Sequence, residues 1–307
     1  MAITIAHGGD IEFIKEATFV AGLPVSGSLD IPSDAVTNIE LSIEQNLERI
    51  IPTNDHDAID TAYHSRAYTL TIEYLCQLVD AAGIHQLTNT LEYGATYRNS
   101  HVANSYAFIY RAGHSTTNDA FYYLRGGKIN SMDMSWNIDE TIKVSVEIWG
   151  TSMTDGTTGS DFTNYDSLTA AAAVGNAFEV YGGGAITRSG AFAAGVKSGT
   201  LTINNNLERV PNTGKQDSAH IAEGEQHISF AGDIIADSGG KTEVDNLLAA
   251  DETAIVLDTG TSSGTSQKFT LNAPSYNRMP IIQRVGDTYM VLSADMGAET
   301  ITHAAYT

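Results

Sequence analysis

At 307 residues the chain has room for about two domains, each large enough to bury a core without a covalent staple. Its 37 Asp and Glu stand against 16 Lys and Arg, a net charge of −21, and this excludes a nucleic-acid binder that grips phosphates through clustered cations. A single cysteine, Cys76, excludes an internal disulfide, and no apolar run approaches the about 18 residues that a membrane-spanning helix needs.

Met1–Ala21 carries Asp10, Glu12 and Glu16 where a secretory signal would be basic and then apolar, so the chain is expected to be soluble and made in a cytoplasm. Three readings of the acidity stay open: a merely soluble, self-repelling surface, a surface that must not stick to passing DNA, and adaptation to high salt.

Taken in order, residues 1–35 read as an N-terminal arm. Gly8-Gly9, Gly22, Pro24, Gly27 and Pro32 interrupt it, with Ile11, Phe13 and Ile14 as sticky spots. Such a segment needs something to tie it down, and a neighbouring subunit is one candidate. Strands follow with period-two alternation. Ile39, Leu41 and Ile43 alternate with Glu40, Ser42 and Glu44; Leu70, Ile72 and Tyr74 alternate with Thr69, Thr71 and Glu73. A polar loop over 52–60 separates them, and Cys76–Ala82, closed by Gly83, predicts a short helix. Tyr106–Tyr110 predicts a strand inside a Tyr- and Asn-rich stretch, whose tyrosines suit sheet packing or subunit contact.

Gly126-Gly127 is expected to open the clearest hairpin of the chain. Met132, Met134, Trp136 and Ile138 alternate with polar residues on one arm; Ile142, Val144, Val146 and Ile148 do so on the other, after an Asp139-Glu140 turn. Residues 151–176 read as a linker, with one helical turn at Leu168–Val174. Beyond it come strands at Val196–Ile203, Ile228–Phe230, Ala254–Leu257, Phe269–Leu271 and Tyr289–Leu292, with helical character at Glu243–Ala250.

One turn sequence occurs twice. Asn46-Leu47-Glu48-Arg49 returns 160 residues later as Asn206-Leu207-Glu208-Arg209. The match extends upstream: Leu41 lies over Leu201, Ser42 over Thr202, Ile43 over Ile203, and Ile50 over Val210, with Pro52 and Pro211 nearly in step. Leu70 and Ile72 correspond in the same way to Ile228 and Phe230. A strand ending in the same turn, half a chain apart, predicts a duplicated domain. The expected organisation is an arm (1–35), a first β domain (36–150), a linker (151–176) and a second β domain (177–307). Helix signal is scarce, so each copy is expected to be mainly antiparallel β with about one helix.

No catalytic constellation emerges. Gly260–Gly264 has the letters of a nucleophile elbow around Ser262, but the helix that must follow such a serine is replaced by a strand-like Thr265–Leu271, and the reading is rejected. Asp55-His56-Asp57 lacks the companions of a structural zinc site. The calcium-loop pattern is missing, and Tyr181-Gly-Gly-Gly184 lacks the Gly-Lys-Ser/Thr of a phosphate loop. The sequence therefore predicts no enzyme, no metal and no cofactor.

The Leu-x-Ile-x-x-Asn-Leu-Glu strand and turn, together with the Gly126–Trp136 and Ile142–Ile148 hairpin, resemble the tail tube (major tail) proteins of tailed phages and tailed archaeal viruses. The resemblance runs over about 36–150 and, more weakly, 185–294. It implies a β-sandwich flanked by a helix, whose sheets join across subunits into a barrel ring; rings then stack into a tube, in the virion tail, assembled in the host cytoplasm.

Six tube domains make a ring in that family, so two per chain imply a homotrimeric, pseudo-sixfold ring, with hexameric rings as the other stoichiometry. Implied partners are further copies, other tail proteins and double-stranded DNA passing through an acidic lumen without specific binding; no membrane is involved. Glu40, Glu44, Asp133, Asp139 and Glu147 are the lumen-facing candidates, and the two Asn-Leu-Glu-Arg turns are candidate subunit contacts. The arm, the 53–66 loop and the linker are candidates for ring-to-ring contact. The alternative inside a virion is a tail-terminator or baseplate ring on the same domains. Outside one, it is a carbohydrate-binding module, which would want a signal peptide and aromatic platforms.

Overall fold

The computed structural model describes residues 10–32, 35–50, 60–75, 105–113, 120–137, 140–170, 185–188, 196–235, 238–249, 254–258, 267–282 and 291–305. In the first half the strands are β1 (Asp10–Lys15), β2 (Val36–Ile50), β3 (Asp60–Leu75), β4 (Tyr106–Ala112), β5 (Ala120–Asn137), β6 (Lys143–Gly150) and β7 (Ser152–Gly156). The second half has β8 (Ala185–Arg188), β9 (Val196–Asn204), β10 (Glu208–Pro211), β11 (Ser218–Ala222), β12 (His227–Ile235) and the helix α1 (Ser238–Ala249). It ends with β13 (Ile255–Asp258), β14 (Gln267–Arg278), β15 (Ile281–Ile282) and β16 (Val291–Ala305). Among the described residues every ladder between these strands is antiparallel.

Eight strands follow one another in the order β2-β3-β6-β5-β9-β12-β16-β14, and β13 and β8 continue the path beyond β14. Cross-strand neighbours share a face, so the alternation along each strand becomes rows across the sheet. One row reads Ile39, Ile72, Val146, Met132, Ile203, Ile228, Ala298 and Pro274, from one end of the sheet to the other. The adjacent row on the opposite face reads Asn38, Glu73, Ser145, Asp133, Thr202, Ser229, Gly297 and Ser275. The apolar face is the core, and it runs without a break from the first half into the second.

A long bent strand turns this sheet into a sandwich. The second half of β5 pairs with β6 and β9, while its first half leaves that sheet to pair with β4 and β7. The bend is at Gly126-Gly127. Gly126 has φ +61, and a Cβ there would sit 2.5 Å from Thr151 Oγ1; one on Gly127 would press within 2.8 Å of the Phe108 ring. Only glycine fits both demands. The pair expected to open a hairpin is thus the corner inside a strand that starts six residues earlier, at Ala120. The hairpin itself has the expected partners, Met132 opposite Val146 and Met134 opposite Val144.

The arm reading of residues 10–32 gives way to a packed segment. β1 pairs with β4, and Phe13 stacks on Phe108 with ring centroids 5.7 Å apart, inside the main core. Ile14, Leu23 and Leu29 close a second small core with Ile109, Tyr123 and Phe162 on the outer face of β4. With both faces covered, Tyr106–Tyr110 is buried throughout, which is why no alternation marks it. The tyrosines described there serve sheet packing, Tyr110 against Tyr122 at 6.0 Å.

The stretch from Thr151 to Ala170 is likewise structured: β7 joins β5, and two short 3-10 turns follow at Gly159–Asp161 and Tyr165–Ser167, while most of the helical turn expected at Leu168–Val174 lies outside the described residues. The helix expected at 76–82, the His56 and Ser262 motifs and the Tyr181 turn lie outside the described residues.

The same wiring occurs twice. In the first half β1 pairs β4, β4 pairs the first part of β5, and the large sheet runs β2-β3-β6-β5. In the second half β8 pairs β13, β13 pairs the first part of β14, and the sheet runs β9-β12-β16-β14.

Candidate assembly interface

The two halves meet where β5 pairs β9. The register is Ser131–Asn204, Met132–Ile203, Asp133–Thr202, Met134–Leu201 and Ser135–Thr200. Met132, Met134, Leu201 and Ile203 are all buried there, and Asp133 accepts a 2.5 Å hydrogen bond from Thr202 Oγ1 on the polar face.

Asn130 forms a bulge in β5 that anchors the end of the junction. Its carbonyl accepts from Asn205 N at 2.8 Å, and its Oδ1 accepts from Leu207 N at 3.1 Å; Asn205 Nδ2 donates to Ile129 O at 2.9 Å. The second Asn-Leu-Glu-Arg turn begins here. Asn206 adopts φ +45, a left-handed conformation that asparagine tolerates and that breaks the strand so the chain can turn away.

Beyond Asn206 the β10–β11 hairpin folds back over the first half. Arg209 Nη2 donates to Tyr68 O at 2.8 Å and to Thr69 Oγ1 at 3.0 Å, and its guanidinium lies 4.0 Å from the Trp149 ring centroid. Burial holds its pKa below the ordinary arginine value, while Glu147 and Glu44 pull it the other way. Tyr68 donates from its hydroxyl to Asp217 at 2.8 Å; burial, then that bond, raises its pKa. Arg66 N donates to Gln216 O at 2.7 Å.

Lys128, 2% exposed, donates to Ile221 O at 2.7 Å and to Glu223, with Phe19 beneath it at 4.8 Å. β10–β11 thus clasps the half whose edge β9 has joined. The first occurrence of the turn sits elsewhere: Asn46–Arg49 lies within β2, with a bulge between Gln45 and Leu47, and Asn46 Nδ2 donates to Ser65 Oγ at 3.2 Å.

The sheet ends in two edges. β2 has β3 on one side and, among the described residues, no strand on the other. Its Ile43, 49% exposed, occupies the place in the repeat that Ile203 occupies at 1% exposed. At the far end β14 pairs β13 only through Lys268–Leu271, leaving Pro274–Arg278 without a second strand partner among the described residues.

Of the acids singled out from sequence, Glu40, Glu44, Asp133 and Glu147 share the polar face, where Glu73 and Asp295 join them; Asp139 lies outside the described residues. Glu40, Glu44 and Asp133 are exposed. Glu147 is half-buried, accepting from Asn130 Nδ2 at 2.7 Å and Trp149 Nε1 at 2.8 Å, a role alternation does not reveal. No group of His, Cys, Asp and Glu suited to a metal ion occurs among the described residues. No helix among them is long and apolar enough to cross a membrane.

The fold defines a mainly antiparallel β protein with one apolar and one acidic sheet face. A family model described as "Phage tail tube protein" matches residues 93–298, about two thirds of the chain, and the chain belongs to that family: it is a structural protein of a virion tail. Among solved structures, one entitled "Cryo-EM structure of the anti-feeding prophage (AFP) baseplate, 6-fold symmetrised" is similar over 51% of this chain and 97% of that chain, at 10% identity and a TM-score of 0.32, a slight likeness. No curated protein sequence matches the chain.

Proposed function

We propose that the chain carries two copies of a tube domain and that three chains close a pseudo-sixfold ring, which stacks into the tail tube and conducts double-stranded DNA. The observation that carries this is the repeated wiring, joined by β5 and β9. If β5 accepts β9 inside the chain, β14 can accept β2 of the next chain in the same sense. Such a contact is head-to-tail, and a head-to-tail contact closes into a ring when its rotation allows. Closure would also remove both strand edges.

Geometry favours three chains over six. Each chain would contribute to the wall the eight strands from β2 to β14 of the sheet, with β13 and β8 turned off it beyond the first part of β14. At ~4.8 Å between strands and a tilt of ~40°, three chains give a wall about 45–50 Å across, and six give about twice that. The smaller ring already admits a double helix.

The acidic face would line the lumen. DNA carries one charge per ~1.7 Å of axis, and an acidic wall repels it over a Debye length of ~8 Å at physiological salt. Lys143 is one of the few cations on this face and stands 3.8 Å from Glu140. The role read here is structural, which membership of the tail tube family supports.

The test is charge reversal. Tubes of the unsubstituted protein are expected to retain no duplex DNA, while tubes of Glu73→Lys/Asp133→Lys retain it with a steep salt dependence. Equal DNA retention by both would refute the acidic-lumen assignment.

A further inference from the structure

The open end of β14 repeats the local structure of the stretch of β5 that β9 occupies. In β5, Asn130 is an extra residue between Ile129, opposite Ile148, and Ser131, opposite Glu147. In β14, Asn277 is an extra residue between Tyr276, opposite Met296, and Arg278, opposite Asp295. The two bulges hold corresponding places. Leu41, Leu70, Ile148 and Ile129 form one row of the first half; Leu201, Phe230, Met296 and Tyr276 form one row of the second, and Leu41 lies over Leu201 in the repeat. The match continues past the bulge. Met132 lies in the core and Met279 packs against it, and Ile281 pairs with Leu292 as Met134 pairs with Val144.

Within the chain this socket is filled: Asn130 O accepts from Asn205 N at 2.8 Å, Ser131 lies opposite Asn204, and Met132 opposite Ile203. At β14 it is open among the described residues, and Asn277 and Arg278 are exposed. Pro280 does not block it. Ser293 N donates to Pro280 O at 3.1 Å, so Pro280 addresses β16, and the residues on either side of it, Met279 and Ile281, address the open side. The missing proline N–H is therefore one that an incoming strand would not use.

We propose that the Asn277 bulge receives β2 of a second copy of this chain in a single register, with Gln45 N donating to Asn277 O, Glu44 opposite Arg278, and Ile43 opposite Met279. Gln45, Glu44 and Ile43 stand in the repeat where Asn205, Asn204 and Ile203 stand. This rests on the head-to-tail ring proposed for the chain and fixes the register of its junctions. A regular edge lets an incoming strand slip by two residues with the same face inward, whereas an extra residue matches one position only.

Charge then separates the junction between chains from the one within. Ser131 and Asn204 are neutral, whereas Arg278 and Glu44 carry opposite charges, and both are exposed. Arg278 would stand between Asp295 of its own chain and Glu44 of the next, a cation between two acids. Opposite charges at directly opposed positions stabilise a sheet, and like charges destabilise it.

Cross-linking reads the register. In a Cys76→Ser background, Glu44→Cys/Arg278→Cys chains are assembled and mildly oxidised. Directly opposed residues have Cα atoms about 4.5–5.5 Å apart, within reach of a disulfide, and a slip of two residues takes them out of reach. Chains linked to one another are expected from assembled protein and not from dissociated subunits. Ser42→Cys/Arg278→Cys, which corresponds to a slip of two residues, is expected to stay unlinked. Rings that link through the Ser42→Cys pair, or through neither pair, would overturn the register and leave the ring standing. Failure of the unsubstituted protein to form any ring would overturn both.

Charge exchange gives the second reading. Arg278→Glu is expected to leave the thermal midpoint of the dissociated subunit nearly unchanged and to raise the concentration needed for assembly about tenfold. Glu44→Arg/Arg278→Glu should recover most of that loss, and Glu40→Arg/Arg278→Glu, of the same net charge, should not. Rescue by both double variants, or by neither, would also overturn the pairing.

Discussion

Ile43 and Ile203 occupy the same place in the repeat and differ only in what lies beside them, so they separate the fold of the subunit from its assembly. Ile203 is 1% exposed, sealed between Met132 of β5 and Ile228 of β12. Truncation to alanine opens a cavity in the continuous core and is expected to cost about 2–5 kcal/mol of subunit stability. Ile43 is 49% exposed on the edge of β2, where Ile43→Ala is expected to change subunit stability by less than about 1 kcal/mol.

In the proposed ring the order is expected to reverse. Complete burial of an isoleucine contributes about 1.5–3 kcal/mol, and roughly half of that is still to be gained when β14 of a neighbour covers Ile43. The loss is about 1 kcal/mol per junction, near a five-fold change in its dissociation constant. Urea unfolding of dissociated subunits reads the first effect, and sedimentation across a concentration series reads the second. If Ile43→Ala destabilised the subunit as much as Ile203→Ala, or left assembly unchanged, β2 would not be an assembly edge.

The buried groups set three further expected outcomes. Lys128→Met removes the buried cation that faces Glu223 and the donor to Ile221 O, and is expected to cost about 3 kcal/mol; Lys128→Met/Glu223→Gln should recover part of it in a double-mutant cycle read by urea unfolding. Gly127→Ala forces a Cβ to 2.8 Å from the Phe108 ring at the β5 corner, and a loss of about 1–3 kcal/mol in the same assay is expected. Stability should also fall steeply in alkali. Burial raises the pKa of Tyr68 and Tyr110, and takes Tyr123 and Tyr165 up to about 12 from an ordinary 10.0. The folded state holds these protons more tightly than the unfolded one. Their contribution is therefore complete below pH 10 and is lost as pH rises through about 12. A flat urea midpoint between pH 10 and 12 would contradict this.

Alternation made β2, β3 and the β5–β6 hairpin legible because each has one face on the core and one in water. The same rule hid β1, whose Phe13 and Ile14 are buried in two different cores, while β4 was expected at Tyr106–Tyr110 without any alternation to mark it. β16 was foreseen only at its start. Its Ser293-Ala294-Asp295-Met296-Gly297-Ala298 run, between β12 and β14, has Met296 as its one large apolar residue, and the small residues around it carry little hydrophobic contrast.

The repeated turn was visible in the letters, yet its role was not. The second occurrence works by hydrogen bonds to Asn130, a residue 76 positions away from Asn206 with no motif around it, and only the fold brings the two together. The pattern likewise put Glu147 on the same face as Asp133. Its capture by Trp149 and Asn130 depends on neighbours across and along the sheet.

The most direct measurement is cryo-electron microscopy of tubes assembled from the purified chain, with the mass per ring taken from scanning transmission images. Three chains per ring around a wall about 45–50 Å across, with β2 of each chain paired to β14 of the next, is the expected result. Six chains per ring, or a twofold contact pairing β2 with β2, would contradict the duplicated head-to-tail ring.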